Sequence, residues 1–287
     1  MSTEFRSTTD GATSSFTVGE ISCRIVSDGH FAYPPDFLFA NVDPTELDAA
    51  LSVRLDEDGN VSTPYRCLVL QTPRATVLVD TGLGRAAAVL GAPAGHLLTA
   101  LATAGLFPDD IDVVVISHAH PDHIGGLLFN GELTFPAARH VMSRIEWEFW
   151  TSDDTLAELP EMLAAPARAL LPPLAKSDVL DLADGETDIV NGIRLIPAPG
   201  HTPGHCVVEV ASASSSLTFL ADAVIDELQF RNPSWVSAVD VSAEQTVHTR
   251  ARLLDQAAAD GSVVLAYHMA GAGHVERSSG AYRLHQI

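Results

Sequence analysis

The sequence predicts a single mixed α/β domain. Apolar runs typical of strands alternate with segments of helical spacing along most of the chain, and two strands flank a short turn at residues 72–74. No Ser/Gly-rich linker or internal repeat interrupts this pattern. The chain has 287 residues, and α/β domains of about 250 residues are common. We therefore expect one domain over residues 16–287, preceded by a polar, disordered lead-in at 1–15.

The individual elements follow from residue patterns in chain order. Strands are predicted where apolar residues alternate or run together, at 16–27, 66–71, 75–79, 113–116, 140–142, 193–196, 207–210, 217–220 and 263–266. Helices are predicted where apolar residues recur every three or four positions, at 44–55, 95–105, 143–150, 156–171 and 243–259. A loop rich in Pro and aromatic residues is predicted at 30–44, and its segment 33–39 is expected to form a mobile lip.

Composition excludes several classes of partner. The chain has 16 Lys and Arg against 37 Asp and Glu, a formal charge of −21, which disfavours nucleic acid and anionic membrane surfaces. No apolar run approaches the ~20 residues needed to span a bilayer. The three cysteines are far apart in sequence, and the polar start lacks a secretory h-region, so a cytoplasmic location is expected. The expected partner is a small-molecule substrate, and a homodimer stays open.

The apolar strands share one feature, a His or Asp at or near the carboxyl end. ATVLV leads into Asp80, VVVI into a histidine cluster at 117–123, RLIPAPG into His201, LTFLA into Asp222, and VVLAY into His268. Side chains at strand ends are held on a rigid sheet, where functional sites are usually built. The sequence therefore predicts one site assembled from these strand ends.

The motif His-Ala-His-Pro-Asp-His is the densest of these strand ends. It offers His118, His120, Asp122 and His123 as ligands within a short segment. The first two point the same way in an extended chain, whereas Pro121 suits the first turn of a helix that gives the other two a different geometry. Buried without a metal, the cluster would be costly to desolvate. Because one metal can hardly use all of them, the motif indicates two metals about 3.5 Å apart, completed by ligands from the other strand ends.

These motifs resemble those of the metallo-β-lactamase fold superfamily, whose His-x-His-x-Asp-His signature stands at 118–123. The resemblance spans 80–268 and implies a four-layer αββα sandwich of two mixed β-sheets flanked by helices. It implies two zinc ions, with manganese, cobalt or iron as alternatives. The implied metal ligands are His118, His120 and His201 for the first ion, Asp122, His123 and His268 for the second, and Asp222 as the bridge. Asp80 is implied to hydrogen-bond to a ligand histidine.

Within the superfamily, the closer resemblance is to the lactonase and methyl parathion hydrolase-like branch. It rests on DGHFAYPPDFLF, SRIEWEFW, NPSWVSAVD and the ending YHMAGAGHVER. Asp222 stands where common dinuclear β-lactamases have Cys, and His120 stands where diiron flavoproteins have Glu, so those branches are set aside. Relatives often have Pro-Phe-Pro-Gly after the last ligand histidine, whereas this chain has Met-Ala-Gly at 269–271.

The resemblance implies hydrolysis by a hydroxide that bridges the two metals. The candidate catalytic residues are Asp222, which would carry a proton to the leaving alkoxide, Asp122, and His274 as a hydrogen-bond donor in the pocket. His205 is expected to make a structural hydrogen bond and Cys206 to be buried. Because a surface of charge −21 repels anions, the expected substrate is a small, neutral, fairly apolar lactone, with aryl esters and phosphotriesters next.

Aromatic side chains are predicted to wall the substrate pocket, with ordinary core packing as the alternative for each. The candidates are Phe37, Phe39, Trp147, Trp150, Phe230 and Trp235. Three other functions stay open: a mononuclear iron enzyme like the persulfide dioxygenases, a glutathione thioester hydrolase like glyoxalase II, and a non-catalytic metal-binding module. The thioester hydrolase would need cations near the C-terminus to hold an anionic thiol, where only Arg277 and Arg283 are present.

Overall fold

The strands form two large sheets and one small hairpin in the computed structural model, which describes residues 5–7 and 13–287. The strands are β1 (Phe5–Ser7), β2 (Thr13–Val18), β3 (Ile21–Tyr33), β4 (Val61–Gln71), β5 (Thr76–Val79), β6 (Val113–Ile116), β7 (Leu128–Phe129), β8 (Glu132–Leu133), β9 (Arg139–Ser143), β10 (Leu180–Ala183), β11 (Thr187–Val190), β12 (Ile193–Pro197), β13 (Cys206–Ser212), β14 (Ser215–Phe219), β15 (Val263–Leu265), β16 (Gly273–Ser278) and β17 (Ala281–Gln286). The helices are α1 (Pro35–Leu38), α2 (Pro44–Leu51), α3 (Ala86–Leu90), α4 (Leu97–Thr103), α5 (Pro121–Ile124), α6 (Arg144–Thr151), α7 (Asp153–Glu158), α8 (Glu161–Ala175), α9 (Leu228–Arg231) and α10 (Ala243–Asp260). Short 3-10 turns lie at Pro108–Asp110 and Ala221–Ala223.

Both large sheets are mixed. The first has the strand order β1-β2-β3-β4-β5-β6-β9-β10, antiparallel from β1 to β5 and parallel from β5 to β10. The second runs in sequence order from β11 to β17, and its only parallel pair is β14 with β15. The parallel strands leave their carboxyl ends at one edge of each sheet, which is where the predicted ligands follow in sequence.

The second sheet is buried on both faces. In β13, Val208 packs in the core shared with the first sheet, whereas its neighbour Val207 packs against α10 on the outer side. Val263 and Val264 of β15 divide in the same way. Successive strand residues point to opposite faces, so a strand covered on both sides reads as a continuous apolar run. This two-sided burial confirms the four-layer αββα sandwich that the resemblance implied.

Several local features differ from the predictions, and the strand predicted over 16–27 is divided between β2 and β3. The predicted helix over 156–171 is two helices, α7 and α8, because the chain is extended at Leu159 and Pro160 caps the second helix. The predicted loop at 30–44 is largely ordered: β3 continues to Tyr33, and α1 begins at Pro35, a residue suited to the first helical turn. The hairpin of β16 and β17 was not predicted, because both strands are rich in polar side chains.

The amino terminus also differs from the expectation of disorder. Phe5–Ser7 pairs with β2, which already begins at Thr13, while residues 1–4 and 8–12 of the predicted lead-in lie outside the described residues. In the described part of the chain, the cysteines at 23, 67 and 206 are unpaired and buried. No helix in that part combines the length and apolar character needed to cross a bilayer.

Candidate metal centre

Strand ends of both sheets meet at one place and bring the predicted ligands together. β6 ends at Ile116, and the chain then supplies His118 and His120 before α5 begins at Pro121. In the second sheet, the 3-10 turn after β14 carries Asp222, and His268 follows β15. Ala221, beside Asp222, has φ 44°, a left-handed conformation rare outside glycine and typical of functional sites.

Seven side chains form two donor sets that meet at Asp222. One set is His118, His120, His201 and Asp222, and the other is Asp122, His123 and His268, with the donor atoms of each set within 4.8 Å of one another. In the first set, His120 Nδ1 lies 3.1 Å from His118 Nε2 and 2.9 Å from His201 Nε2. In the second, His268 Nε2 lies 3.4 Å from an Asp122 oxygen. Ligands about 2.1 Å from one tetrahedral zinc stand about 3.4 Å apart, so these spacings suit a metal.

Three buried atoms of the cluster, His120 Nε2, His123 Nε2 and Asp222 Oδ1, lack the partner that buried polar atoms normally have. His123 Nε2 and Asp222 Oδ1 make no hydrogen bond, although they are 3.3 Å apart. More than nine in ten buried polar groups in proteins are paired. A cation between these two atoms would satisfy both, so the residues present fit a metal. Their role as metal ligands stays a prediction.

Burial and nearby carboxylates shift the pKa values of the histidines in opposite directions. Burial lowers the pKa of His118 and of His120 well below the usual value, so both imidazoles are neutral and ready to donate a lone pair. Burial also disfavours charge on His201, but the carboxylates of Asp222 and Asp240 raise its pKa to about 9. A proton on His201 therefore stands where a metal would bind, and metal binding would release it.

Carboxylates outside the cluster orient the ligand rings. Asp80 Oδ2 accepts hydrogen bonds from His123 Nδ1 and from the Ser117 hydroxyl, each 2.8 Å long, and Asp80 Oδ1 accepts from the Ser117 N–H. Asp240 accepts from His201 Nδ1 at 2.7 Å. Such partners fix the tautomer and the direction of a metal-binding imidazole. Asp240 was not predicted, because it lies in a loop and follows no apolar strand.

Glu146 joins the two ligand-bearing loops and was also missed. Its Oε1 accepts from the Ala119 N–H at 2.9 Å, and its Oε2 accepts from the Thr202 hydroxyl at 2.7 Å and the Gly204 N–H at 2.9 Å. Burial raises the pKa of Glu146, while the hydrogen bonds counteract that shift. A Cβ on Gly204 would lie 2.1 Å from the Glu146 backbone nitrogen, so only glycine permits this approach.

A cavity of about 380 Å³ opens onto the ligands. Its polar lining consists of His120, Asp122, His201, Asp222 and His268 together with Thr63, Glu161 and Ser237. The rest is mainly apolar and comes from β3, β4, α1, α3, α8 and adjoining loops: Phe31, Tyr33, Phe37, Leu38, Tyr65, Leu83, Ala86, Val89, Leu90, Met162, Leu163, Ala165, Pro166, Ile225 and Val239. A concave, mostly apolar site with a few convergent polar groups is typical of small-molecule binding.

Of the predicted aromatic wall, only Phe37 lines this cavity. Phe39 and Trp235 pack on each other in a core cluster, with ring centroids 5.2 Å apart. Phe230 packs in the core beneath α10, and Trp147 packs against the main core. The prediction was wrong for these four residues because large rings bury the most area in the interior.

Trp150 was also wrongly assigned to the wall, but it contacts the site from behind. Its Nε1 donates to Glu146 at 2.7 Å, and its ring stands edge-on to His120 with centroids 5.4 Å apart. The ring is buried and does not line the cavity. Trp150 therefore packs against His120, a predicted metal ligand, and does not line the substrate cavity.

The assignment of His274 to the pocket was wrong. His274 lies opposite Val263, the first residue of β15, at the end of that strand remote from His268. It is exposed, and its Nδ1 lies 3.1 Å from the Gly261 carbonyl oxygen. His205, in contrast, makes the expected structural hydrogen bonds, to the Ala198 carbonyl and from the Asp222 N–H. Burial lowers the pKa of His205 to about 3, so it is neutral.

An αββα sandwich with a His/Asp cluster at one edge of its sheets defines a class of metal-binding α/β proteins. The family model described as the metallo-beta-lactamase superfamily matches residues 63–268. The chain therefore belongs to the metallo-beta-lactamase superfamily.

Curated relatives match part of the chain. An N-acyl homoserine lactonase of Bacillus cereus is 27% identical over 179 residues, 56% of this chain and 64% of the relative. The chain thus aligns with less than two thirds of that lactonase's length. Metallo-beta-lactamase domain-containing protein 1 of Mus musculus is 48% identical over 80 residues, 28% of this chain and 26% of that protein.

Solved structures match nearly the whole chain. The crystal structure of hydrolase AbOPH in the beta lactamase superfamily superposes with a TM-score of 0.85 at 25% identity, over 95% of this chain and 96% of that one. AidC, a dizinc quorum-quenching lactonase, superposes with a TM-score of 0.82 at 24% identity, over 99% of this chain and 98% of that one. At 24% identity, the match to AidC shows a similarity of fold.

Proposed function

We propose that this protein is a dinuclear-metal hydrolase that opens small neutral lactones. The observation that carries the proposal is the position of Asp222 between the donor sets. Its Oδ1 lies 3.3 Å from His123 Nε2, and its Oδ2 lies 3.3 Å from His201 Nε2 and 3.2 Å from His268 Nε2. A carboxylate that contacts histidines of both sets suits two ions that share it. Zinc is the proposed metal, because imidazole and carboxylate donors suit it.

The ligand assignment follows from the two donor sets. His118, His120 and His201 would hold one ion, Asp122, His123 and His268 the other, and Asp222 would serve both. When bound, such a pair of ions lowers the pKa of water toward neutrality and polarises a substrate carbonyl.

The chain's own residues hold the metal ligands in position and keep water away from the centre. Asp80, Asp240 and Glu146 fix the ligand rings and loops through the hydrogen bonds described above. The apolar walls of the cavity exclude water from the substrate. Asp222, which faces both donor sets, is the proposed carrier of a proton to the leaving oxygen.

Three observations support a neutral lactone as substrate. Curated relatives are named N-acyl homoserine lactonases. The cavity at the ligands has predominantly apolar walls, and the chain's net charge of −21 repels anions at a distance. Aryl esters and phosphotriesters are further proposed substrates, because they are also neutral and present an oxygen to the metals.

The alternatives have less support. Arg277, one of the cations that a glutathione thioester hydrolase would use, is ion-paired with Asp255 at 2.8 Å. The other, Arg283, does not line the cavity that contains the donor sets; it lines a second cavity, of about 610 Å³, on the other side of His268. The two-sided position of Asp222 favours two ions over a single iron.

The test is elemental analysis of protein purified without chelator, followed by turnover of matched neutral and anionic substrates at two salt concentrations. We expect two zinc ions per chain and a higher kcat/KM for neutral lactones, with salt easing the penalty on anions over about 8 Å. One iron per chain would contradict the proposal. A higher kcat/KM for an anionic thioester at both salt concentrations would support the thioester hydrolase instead.

A further inference from the structure

Two tyrosine hydroxyls meet in the cavity beside the second donor set. The oxygen atoms of Tyr33 and Tyr65 are 2.6 Å apart. Both residues line the cavity that contains Asp122 and His268. The ring centroid of Tyr65 is 5.5 Å from that of His268. The mechanism described above uses neither hydroxyl.

The sheet register explains how the pair forms. In the antiparallel pairing of β3 with β4, Tyr65 lies opposite Gly29 and Tyr33 lies opposite Val61. Positions 29 and 33 are an even number of residues apart, so both tyrosines project from the same face of the sheet. That face is the one covered by the cavity.

A count of hydrogen atoms shows that one hydroxyl hydrogen of the pair is not used in the bond between the two tyrosines. Two hydroxyls carry two hydrogens, and the bond between them uses only one, whichever oxygen donates. Within residues 13–287, neither hydroxyl makes another hydrogen bond to protein. A phenol ordinarily has a pKa of about 10, so both hydroxyls keep their protons at neutral pH. The second hydrogen therefore requires an acceptor in the cavity.

Neighbouring rings hold the pair in place. Tyr33 stacks on Phe37 with centroids 4.9 Å apart and meets the edge of Phe31 at the same distance. Tyr65 is only 1% exposed and stacks on Tyr267 at 5.9 Å. A donor fixed by packing loses little entropy when it binds an acceptor.

We infer that the Tyr33–Tyr65 pair donates a hydrogen bond to an ester oxygen of the substrate while the ester lies at the metal centre. The inference rests on the proposed function, because it assumes an ester-like group at the ligands. It makes the two tyrosines determinants of specificity: a substrate without an acceptor there leaves a buried donor unpaired.

The experiment compares Tyr33→Phe, Tyr65→Phe, the double variant and a matched control, Tyr282→Phe, in the metal-loaded protein. The Tyr282 hydroxyl bonds to Asp255 and Ala251, and the residue does not line the cavity. Two readouts are measured on each variant. One is kcat/KM for N-acyl homoserine lactones with short and long acyl chains. The other is the calorimetric Kd of a γ-lactam analogue, which keeps the carbonyl oxygen but resists hydrolysis.

We expect each cavity variant to lose about 10-fold in kcat/KM and in lactam affinity, with metal content and melting temperature unchanged. The double variant should lose no more than the worse single variant, because the pair acts as one donor. The loss should be the same for short and long acyl chains, and Tyr282→Phe should match the wild type.

Two results would overturn the inference. One is an unchanged lactam Kd in the cavity variants. The other is a loss of kcat/KM that grows with acyl length, which would show that the tyrosines act only by packing against the acyl chain. Failure of the proposed function gives a different pattern. If the wild type binds the lactam but does not open the lactone, and Tyr→Phe still weakens lactam binding, the donor assignment stands and the reaction is wrong. If the wild type does not bind the lactam, the donor assignment is wrong as well.

Discussion

The metal centre and the cavity wall that adjoins it are built on different principles. In the centre, His123 has a carboxylate partner for its second ring nitrogen, Asp80 at 2.8 Å, and His201 has another, Asp240 at 2.7 Å. The wall contains Val89 and Met162, whose side chains are 87% and 62% exposed at the cavity mouth. The centre is therefore specified atom by atom, whereas the wall, apart from the Tyr33–Tyr65 pair, is specified only by its apolar area.

The difference follows from the forces involved. Hydrogen bonds and metal–ligand bonds are directional, and a buried polar atom left without a partner costs about 1–3 kcal/mol. Apolar contact is non-directional and scales with area. Substitutions in the centre should therefore have large, substrate-independent effects, and substitutions of the apolar residues of the wall should have small effects that depend on the substrate.

The largest effect is expected at the residue shared by both donor sets. Asp222→Asn should lose at least one metal and more than about 10³-fold in kcat/KM, beyond the 10- to 100-fold typical of residues outside the ligand sphere. Elemental analysis and lactone turnover measure both losses, and circular dichroism checks folding. Near-normal turnover with two metals still bound would show that Asp222 is not a ligand.

The next effect concerns the buried carboxylate that joins the ligand loops. Glu146→Gln places an amide NH₂ among groups that all donate, which should cost about 2–4 kcal/mol in the free energy of unfolding. Urea titration of the variant measures this cost. Glu148→Gln, on the exposed face of the same helix, is the matched control and should change stability by less than about 0.5 kcal/mol. Equal stabilities of the two variants would contradict the role given to Glu146.

A smaller loss is expected at the partner of His123. Asp80→Ala should reduce metal affinity or kcat/KM by about 10- to 100-fold, because it frees the imidazole of a ligand without removing the ligand. Asp80 also has φ 63°, a conformation that Asn tolerates better than Ala. Asp80→Asn is therefore the control that separates backbone strain from lost charge, and it should be the milder variant. A loss as large as that of Asp222→Asn in a folded protein would make Asp80 a direct ligand.

The same contrast explains what the sequence could predict. His118, His201 and Asp222 follow apolar strands, and the carboxyl ends of neighbouring strands meet in space, so sequence position alone predicts that these residues converge. Asp240 and Glu146 reach the site from a loop and from a helix face, and only the tertiary fold shows which donors they satisfy.

The wall could not be predicted for a related reason. Val89 belongs to α3 and Met162 to α8, and the two residues line one cavity only in the folded chain. Apolar residues of this kind carry no local mark of function. The large aromatics were chosen for their size, and Phe39 and Phe230 show that size leads to the core instead.

The smallest effect is expected at the mouth of the cavity. Val89→Ser and Met162→Ser remove apolar area that only a long substituent reaches, and each buried CH₂ contributes about 0.8 kcal/mol. KM should therefore rise about 3- to 5-fold for long-chain N-acyl lactones and stay constant for short-chain ones, with kcat unchanged. Val53→Ser is the matched control, since Val53 is 92% exposed and lies away from the cavity. A rise in KM that is equal for both chain lengths would mean that these side chains act on the metal centre itself. The distinction between a metal centre fixed by directional bonds and an apolar cavity mouth defined by its buried area would then not hold.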